Sequence, residues 1–369
     1  MSARVRVGIK LSQQLHDIDT QREAWRMADA AGFDHIWLFD HLIAIHQDIP
    51  QPIFDGWTAL GALAEITGRI RMGLNVTGNL YRHPGLLAKI ATTVDHLSGG
   101  RLEMGLGAGW NEVEFRMFGL SFPGPAERIR RLDESCRVLK ALWSEPRANF
   151  HGRFYQLTDA IAEPKPVQRP HPPLWSACGS DETARLTGSL GMGGLFGSEG
   201  GPGRVGELMA LYQDALRNAG GPPRRAALMT AGYCHEDPQV AAERGSELVS
   251  WYIEQQRERA RLVWRDYDPA TVPPDYQGYY ARDQRLAAGP HPGEPTPREV
   301  RDRGEQFCVG TPAECIRFIE MYEALGIEEM ILLCAVGPAT HEEVLNTMRL
   351  FGEQVIPHFR AKEKRVAAN

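Results

Sequence analysis

Short apolar segments of strand length alternate with segments of helical periodicity along most of this 369-residue chain. Parallel strands need a long crossover connection, so strand-helix alternation is typical of a parallel sheet. We predict eight strands, at residues 5–9, 36–39, 71–77, 101–106, 174–177, 194–196, 226–233 and 329–334. Eight such repeats predict one domain over residues 1–369, an α/β fold of the (β/α)8 TIM barrel type whose functional site lies at the carboxyl ends of the strands.

Two segments do not fit the alternation. Residues 150–155 read as a small hairpin inserted beside the barrel. Residues 261–307 are rich in proline, lack a clear period for most of their length and are too long for an ordinary connection. This second insertion is therefore a lid or a disordered linker. Its aromatic residues favour a lid, and they are Trp264, Tyr267, Tyr276, Tyr279 and Tyr280.

Composition narrows the choice of partner. The net charge is -6 and no basic cluster is strong enough to indicate binding to the phosphate backbone of nucleic acid. No apolar run reaches the roughly 18 residues that a membrane helix needs, and no signal peptide is recognisable. The six cysteines are widely spaced, which predicts reduced and mostly buried thiols without zinc. We expect a cytoplasmic protein that acts on a small molecule.

Glycine-rich turns follow the fourth and fifth predicted strands. Gly107 and Gly109 come directly after residues 101–106, and Asn111 can cap the helix that Glu112 begins. Gly179 follows residues 174–177, and Ser180 or Asp181 can cap the next helix. Because glycine lets a ligand approach the backbone closely, these turns are candidate binding elements, although tight turns alone would also explain them.

Four stretches of the sequence carry a specific resemblance. They are WLFDH at 37–41, IRMGLNVTGNLYRHP at 70–84, AKIATTVDHLSGGRLEMGLGAGWNEVE at 88–114 and FHGRFY at 150–155. Together they resemble the bacterial luciferase-like family of flavin and deazaflavin oxidoreductases, strongly over residues 5–200 and more weakly over 310–359. The family implies a (β/α)8 barrel that binds FMN or coenzyme F-420 at the carboxyl end.

The resemblance assigns expected roles to individual residues. His41 would face the reactive edge of the cofactor ring with Asp40 beside it, as the catalytic pair. His41 also fits a loop histidine that binds only backbone. Asn75 and Val76 would form a non-prolyl cis peptide behind the ring, followed by Thr77. The remaining cofactor contacts would be Gly107, Gly109 and Trp110 along the ring and ribityl chain, Asn111 and Glu114 as polar contacts, and Gly179, Ser180 and Tyr155 at the phosphate.

The leading hypothesis is a monooxygenase that receives reduced FMN from a separate flavin reductase and inserts one atom of dioxygen into a small organic substrate. The alternative is hydride transfer with coenzyme F-420, although the acid that some deazaflavin relatives place near Trp110 is absent. Two other classes stay open: a metal hydrolase using Asp40, His41 and His46, and a flavin-binding protein without catalysis. We expect no metal, no nucleic acid, no membrane and a homo-oligomer.

Overall fold

A computed structural model describes residues 4–14, 16–45, 50–220, 222–264, 268–272, 277–289, 296–334, 337 and 339–368. Its strands are β1 (Arg6–Lys10), β2 (His35–Leu38), β3 (Arg71–Leu74), β4 (Thr77–Gly78), β5 (Leu102–Gly107), β6 (Ala148–His151), β7 (Gln156–Ala160), β8 (Leu174–Ala177), β9 (Gly193–Gly197), β10 (Ala226–Cys234), β11 (Cys308–Gly310) and β12 (Glu329–Leu333).

Eight parallel strands close into a barrel, with β4 continuing β3. The order is β1, β2, β3, β5, β8, β9, β10 and β12, and β12 pairs with β1 to complete the circle. The predicted (β/α)8 barrel is therefore confirmed. The predicted hairpin is also present, since β6 and β7 form a separate antiparallel pair.

Helices connect the strands and cover the outside of the barrel. They are α1 (Ile18–Ala30), α2 (Gly56–Ile66), α3 (Pro84–Leu97), α4 (Glu112–Met117), α5 (Pro125–Ser144), α6 (Asp181–Ser189), α7 (Gly201–Asn218), α8 (Pro238–Trp264), α9 (Gln277–Ala287), α10 (Pro297–Arg303), α11 (Pro312–Glu323), α12 (His341–Leu350) and α13 (Ile356–Ala368), with a π turn at Phe351–Val355. No helix in the described ranges is both long and apolar enough to cross a membrane.

The second insertion contains more regular structure than its sequence predicted. Helix α8 runs on to Trp264, and α9 and α10 follow within the insertion. Local capping explains α10: the side chains of Thr296 and Glu299 cap its first turn, and Gly304 ends it at a φ of 62°. The prediction of a largely aperiodic segment is therefore wrong for the described residues. Tyr267, Tyr276 and the side chain of Tyr279 lie outside them.

Apolar side chains fill the middle of the barrel, and charged ones fill its amino-terminal end. The apolar layer consists of Trp37, Trp175, Leu195, Ala227 and Ile331. Below it, Arg225 binds the buried Glu329 and lies 3.4 Å from Glu103. Burial raises the pKa of Glu329 to about 7, against the attraction of Arg225. All six cysteines are buried, as the spacing predicted.

Candidate functional site

A cavity of about 230 Å³ opens at the carboxyl ends of β4, β5 and β8. Ligands of (β/α)8 barrels bind at this end, where the loops after the strands converge. Six residues that the sequence assigned to cofactor binding line it: Val76, Gly107, Gly109, Trp110, Gly179 and Ser180. The fold therefore brings the two predicted glycine turns to one cavity.

The junction between β3 and β4 forms one wall. The peptide bond between Asn75 and Val76 is cis, as the resemblance implied. A β-carbon at Gly107 would lie 2.4 Å from the Val76 side chain, so the approach of these two strands requires glycine there. Thr77 is fully buried, and its hydroxyl makes no hydrogen bond to any described residue.

The turn after β8 forms the opposite wall and leads into α6. Ser180 is the N-cap, and its hydroxyl accepts a hydrogen bond from the Thr183 amide at 3.3 Å. This confirms the predicted cap. A β-carbon built on Gly179 meets no atom within 4 Å, because the residue faces open space. The first turn of a helix offers unpaired amide groups, which suit an anionic group such as a phosphate.

His41 and Glu114 form a hydrogen-bonded pair beside the cavity. The His41 Nδ1 atom lies 2.8 Å from Glu114 Oε1, and the Leu42 amide donates to Oε2 at 2.9 Å. The Tyr81 hydroxyl also donates to this carboxylate. Burial would raise the pKa of Glu114, but the His41, Tyr81 and Leu42 hydrogen bonds outweigh it and lower the pKa below its ordinary value. The carboxylate is thus held ionised and orients the imidazole.

Asp40 binds different residues from those that His41 binds. Its carboxylate accepts a hydrogen bond from Arg82 at 2.8 Å and another from the Gly78 amide at 3.2 Å. Burial raises the pKa of Asp40, while Arg82 opposes the rise. Asp40 does not line the cavity. The structure therefore places Asp40 as a brace between the loop after β2 and the β4 segment, while His41 reaches the cavity only through its contact with Trp110.

Trp110 connects the histidine to the cavity. Its ring lies 5.5 Å from the His41 ring, centroid to centroid, in an edge-to-face arrangement. The Arg259 guanidinium, from α8, lies 4.8 Å from the centre of the same indole ring. The cavity is lined on one side by Trp110 and on the other by residues of α8 and the second insertion, including Val263, Trp264 and Asp283.

Seven predicted site residues do not line the cavity: Asp40, His41, Asn75, Thr77, Asn111, Glu114 and Tyr155. Asn111 occupies the N-cap position of α4, but its side chain makes no capping hydrogen bond, so the predicted cap is wrong. Tyr155 is buried, with its ring 5.5 Å from the His83 ring. Asn75 presents its backbone carbonyl to Lys10. His46, weighed as a metal ligand, lies outside the described residues.

Two buried side chains near the site were missed from the sequence. The Lys10 ammonium donates to Asn75 O at 2.6 Å and lies 4.0 Å from the centre of the Phe39 ring. Burial lowers the pKa of Lys10 to about 7, against a raising attraction from Glu199. Tyr81, the second, binds Glu114. The sequence offers one signal for each residue. Lys10 ends an apolar strand, and Tyr81 lies within the 70–84 stretch quoted above.

The lining of the cavity can accommodate a planar ring system and an anionic group. Among the described residues, no group of three or more His, Cys, Asp or Glu side chains is arranged to hold an ion. Apolar and glycine walls can flank a planar ring system, and the α6 terminus can receive a phosphate. Val76 and Trp110 would flank the ring, with Gly179 and Ser180 at the phosphate.

Comparisons with known proteins agree with this geometry. The sequence model of luciferase-like monooxygenases matches residues 1–329. An F420-dependent glucose-6-phosphate dehydrogenase of Amycolatopsis mediterranei is 28% identical over 363 residues, which cover 97% of this chain and 99% of that protein. An FMNH2-dependent dimethylsulfone monooxygenase of Pseudomonas putida is 32% identical over 169 residues, 46% of each chain. The crystal structure of monooxygenase RslO1 from Streptomyces bottropensis has a TM-score of 0.70 and 25% identity, covering 96% of this chain and 99% of that one.

Proposed function

This chain belongs to the luciferase-like monooxygenase family, and we propose that it uses reduced FMN and dioxygen to insert one oxygen atom into a small organic substrate. The observation that carries the proposal is the group of aromatic and apolar side chains that line the cavity. Trp110, Phe122, Val263 and Trp264 all line it. Oxygen chemistry on a reduced flavin needs exclusion of water, because water diverts the reaction toward hydrogen peroxide.

His41 and Glu114 have complementary roles in this proposal. Reduced flavin, when bound, supplies the electrons for activating dioxygen. The His41 imidazole holds or moves a proton beside the cavity, and its free Nε2 atom is the exchanging position because Nδ1 is engaged by Glu114. Glu114 fixes the tautomer and the orientation of the ring, as a buried carboxylate next to a catalytic histidine does. His41 is the proposed catalytic residue and Glu114 the positioning residue.

Hydride transfer with coenzyme F-420 is the second candidate, and one observation favours it. The glucose-6-phosphate dehydrogenase relative covers 97% of this chain, whereas the dimethylsulfone monooxygenase relative covers 46%. Glu112 also lines the cavity and supplies a carboxyl group near Trp110. Against it, position 110 itself carries an indole, which can shield a ring but cannot donate a proton to a substrate oxygen.

Parallel anaerobic titrations separate the two candidates. The purified protein is titrated with FMN, reduced FMN and coenzyme F-420, and binding is followed by cofactor absorbance and fluorescence. Tight binding of reduced FMN, followed by oxygen-dependent conversion of a substrate panel, is the expected result. Tight binding of coenzyme F-420 with oxygen-independent turnover would overturn the oxygenase proposal and select the alternative. In the proposed reaction a separate reductase supplies the reduced flavin, and the enzyme assembles as a homo-oligomer, which light scattering measures.

A further inference from the structure

A second cavity lies at the opposite end of the barrel from the site described above. It has a volume of about 320 Å³ and lies beside the amino-terminal ends of β8, β9 and β10. Leu174, Trp175 and Gly193 form its barrel side, and the loop before β8 and the end of α5 enclose it. The volume falls within the roughly 300–1,000 Å³ typical of small-molecule pockets.

The charges around this second cavity all have one sign. Its charged and titratable lining residues are Lys140, Arg169, His171, Arg224 and Arg225, and its lining contains no aspartate or glutamate. Arg169 and Arg224 are exposed at the rim, and neither forms an ion pair or a side-chain hydrogen bond with the described residues. The protein therefore leaves two guanidinium groups at the rim without a carboxylate of its own.

The inner side of the second cavity is basic as well, and it is fixed in place. The Lys140 ammonium donates to the Leu190 carbonyl at 2.8 Å, which holds this half-buried charge against the wall. Arg225 lies 5.1 Å from the centre of the Trp175 ring and is neutralised from behind by Glu329. Lys140, whose charge is partly offset by Asp133, thus shares one concave surface with Arg169 and Arg224.

The cations of this cavity shift one another's pKa values downward. Burial lowers the pKa of His171, and the charges of Lys140 and Arg224 lower it further, in opposition to the Pro172 carbonyl hydrogen bond. Burial also lowers the pKa of Lys140, where Arg224 again acts in the same direction. These cations therefore lie close enough to repel one another, and an anion between them would relieve that repulsion.

We propose that this basic cavity binds a small molecule that bears two or more adjacent negative charges, either a phosphorylated metabolite or a polycarboxylate. Guanidinium groups match both phosphate and carboxylate oxygens with paired hydrogen bonds. The concave shape and the small volume favour a compact anion over a polymer backbone, which needs an extended basic surface. The site is separate from the cofactor cavity and does not depend on which cofactor the enzyme uses.

Calorimetric titration of the full-length protein tests the proposal directly. Pyrophosphate, citrate and inorganic phosphate are titrated at constant ionic strength, with sodium chloride as the reference. We expect saturable binding of pyrophosphate or citrate with a stoichiometry of one. Binding of pyrophosphate alone identifies a phosphorylated ligand, and binding of citrate alone identifies a polycarboxylate. If neither anion binds saturably in the millimolar range, the proposal is wrong.

Two double variants show whether this cavity is responsible. Arg169→Ala with Arg224→Ala removes the two rim charges and should weaken anion binding at least tenfold. Arg130→Ala with Arg185→Ala removes the same number of exposed charges from residues outside the basic cavity, and should bind like the wild type. All four side chains are exposed, so both variants should unfold at the wild-type temperature. Equal weakening in both variants would mean non-specific attraction and would overturn the proposal.

Discussion

His41 and Glu114 lie 2.8 Å apart although 73 positions separate them in the sequence. His41 follows β2 and Glu114 belongs to α4, which follows β5. The pair therefore forms only when β2, β3 and β5 lie side by side and the loops at their carboxyl ends are in place. Because the imidazole also packs on Trp110 at the cavity, this contact links proton transfer to the shape of the proposed flavin site.

Replacing His41 with alanine should lower turnover by about 10²- to 10⁴-fold, the usual contribution of general acid-base catalysis. Cofactor affinity should change little, because a proton-transferring group acts mainly in the transition state. Single-turnover oxidation of a substrate and cofactor titration measure the two effects. Glu114→Gln keeps a hydrogen-bond acceptor and should lower turnover less than His41→Ala does. His96→Ala, at an exposed position on α3, is the control and should keep the wild-type turnover. A fall in turnover of less than threefold for His41→Ala would exclude a catalytic role for His41.

Replacing Gly179 with valine should weaken cofactor binding without unfolding the protein. The β-carbon of the added side chain would have no protein atom within 4 Å, whereas the side chain would crowd a phosphate bound at the α6 terminus. Fluorescence titration with the cofactor measures the effect, and thermal unfolding checks the fold. Gly206→Val, at another glycine with open space, lies on α7 and should bind the cofactor normally. Unchanged affinity in Gly179→Val would place the phosphate elsewhere.

Deleting residues 268–297 and joining the ends with a short Gly/Ser linker should leave the barrel and cofactor binding intact. The deletion removes Tyr280, whose ring packs on the Trp264 ring, and Asp283, which accepts a hydrogen bond from the indole nitrogen of Trp264. Water should then enter the cavity, so that oxidation of reduced flavin releases hydrogen peroxide in place of oxygenated product. Product and peroxide yields per flavin oxidised measure the coupling. Full coupling in the deletion variant would show that these residues are not a lid.

Stability should depend on pH through Lys10. The pKa of its buried ammonium is about 7 in the folded protein, against an ordinary value of 10.5. Between these values the unfolded chain binds a proton that the folded protein does not, so this contribution to stability rises with pH and is constant below about 7. The slope is at most about 1.4 kcal/mol per pH unit. The Lys10→Met variant should lack this pH-dependent contribution to stability.

Urea unfolding of the wild type and of Lys10→Met at several pH values between about 6 and 10 measures this contribution. The free-energy difference between the two proteins should favour the wild type increasingly as the pH rises. Lys89→Met, at an exposed lysine on α3, should show a difference that does not vary with pH. Parallel curves for wild type and Lys10→Met would mean that Lys10 titrates as an ordinary lysine.

Most of the barrel could be predicted because its strands are apolar runs bounded by glycine, proline or polar residues. Helix α3, for example, begins at Pro84, since proline suits a first turn. The third strand ends earlier than predicted, at Leu74, because the cis peptide interrupts it. The helices of the second insertion were missed because α9 is strongly polar and α10 depends on local capping.

The site could be predicted only in part, for a similar reason. Val76, Trp110 and Ser180 could be predicted because they lie in or beside stretches that resemble a known family. The pairing of His41 with Glu114, and of Asp40 with Arg82, joins residues from different repeats. Side-chain partners of that kind are set by the packing of neighbouring repeats, and no local pattern in the sequence encodes them.

Strand β11 has a consequence for how this enzyme can change over evolution. It pairs with Gly232–Cys234 of β10 through the backbone, just after the second insertion, while α8 begins the insertion on the other side. Backbone pairing depends little on side-chain identity, so the strand that ends the insertion can stay attached to the barrel whatever residues precede it. Substitutions and length changes there can reshape the entrance to the cofactor cavity while the barrel is inherited unchanged.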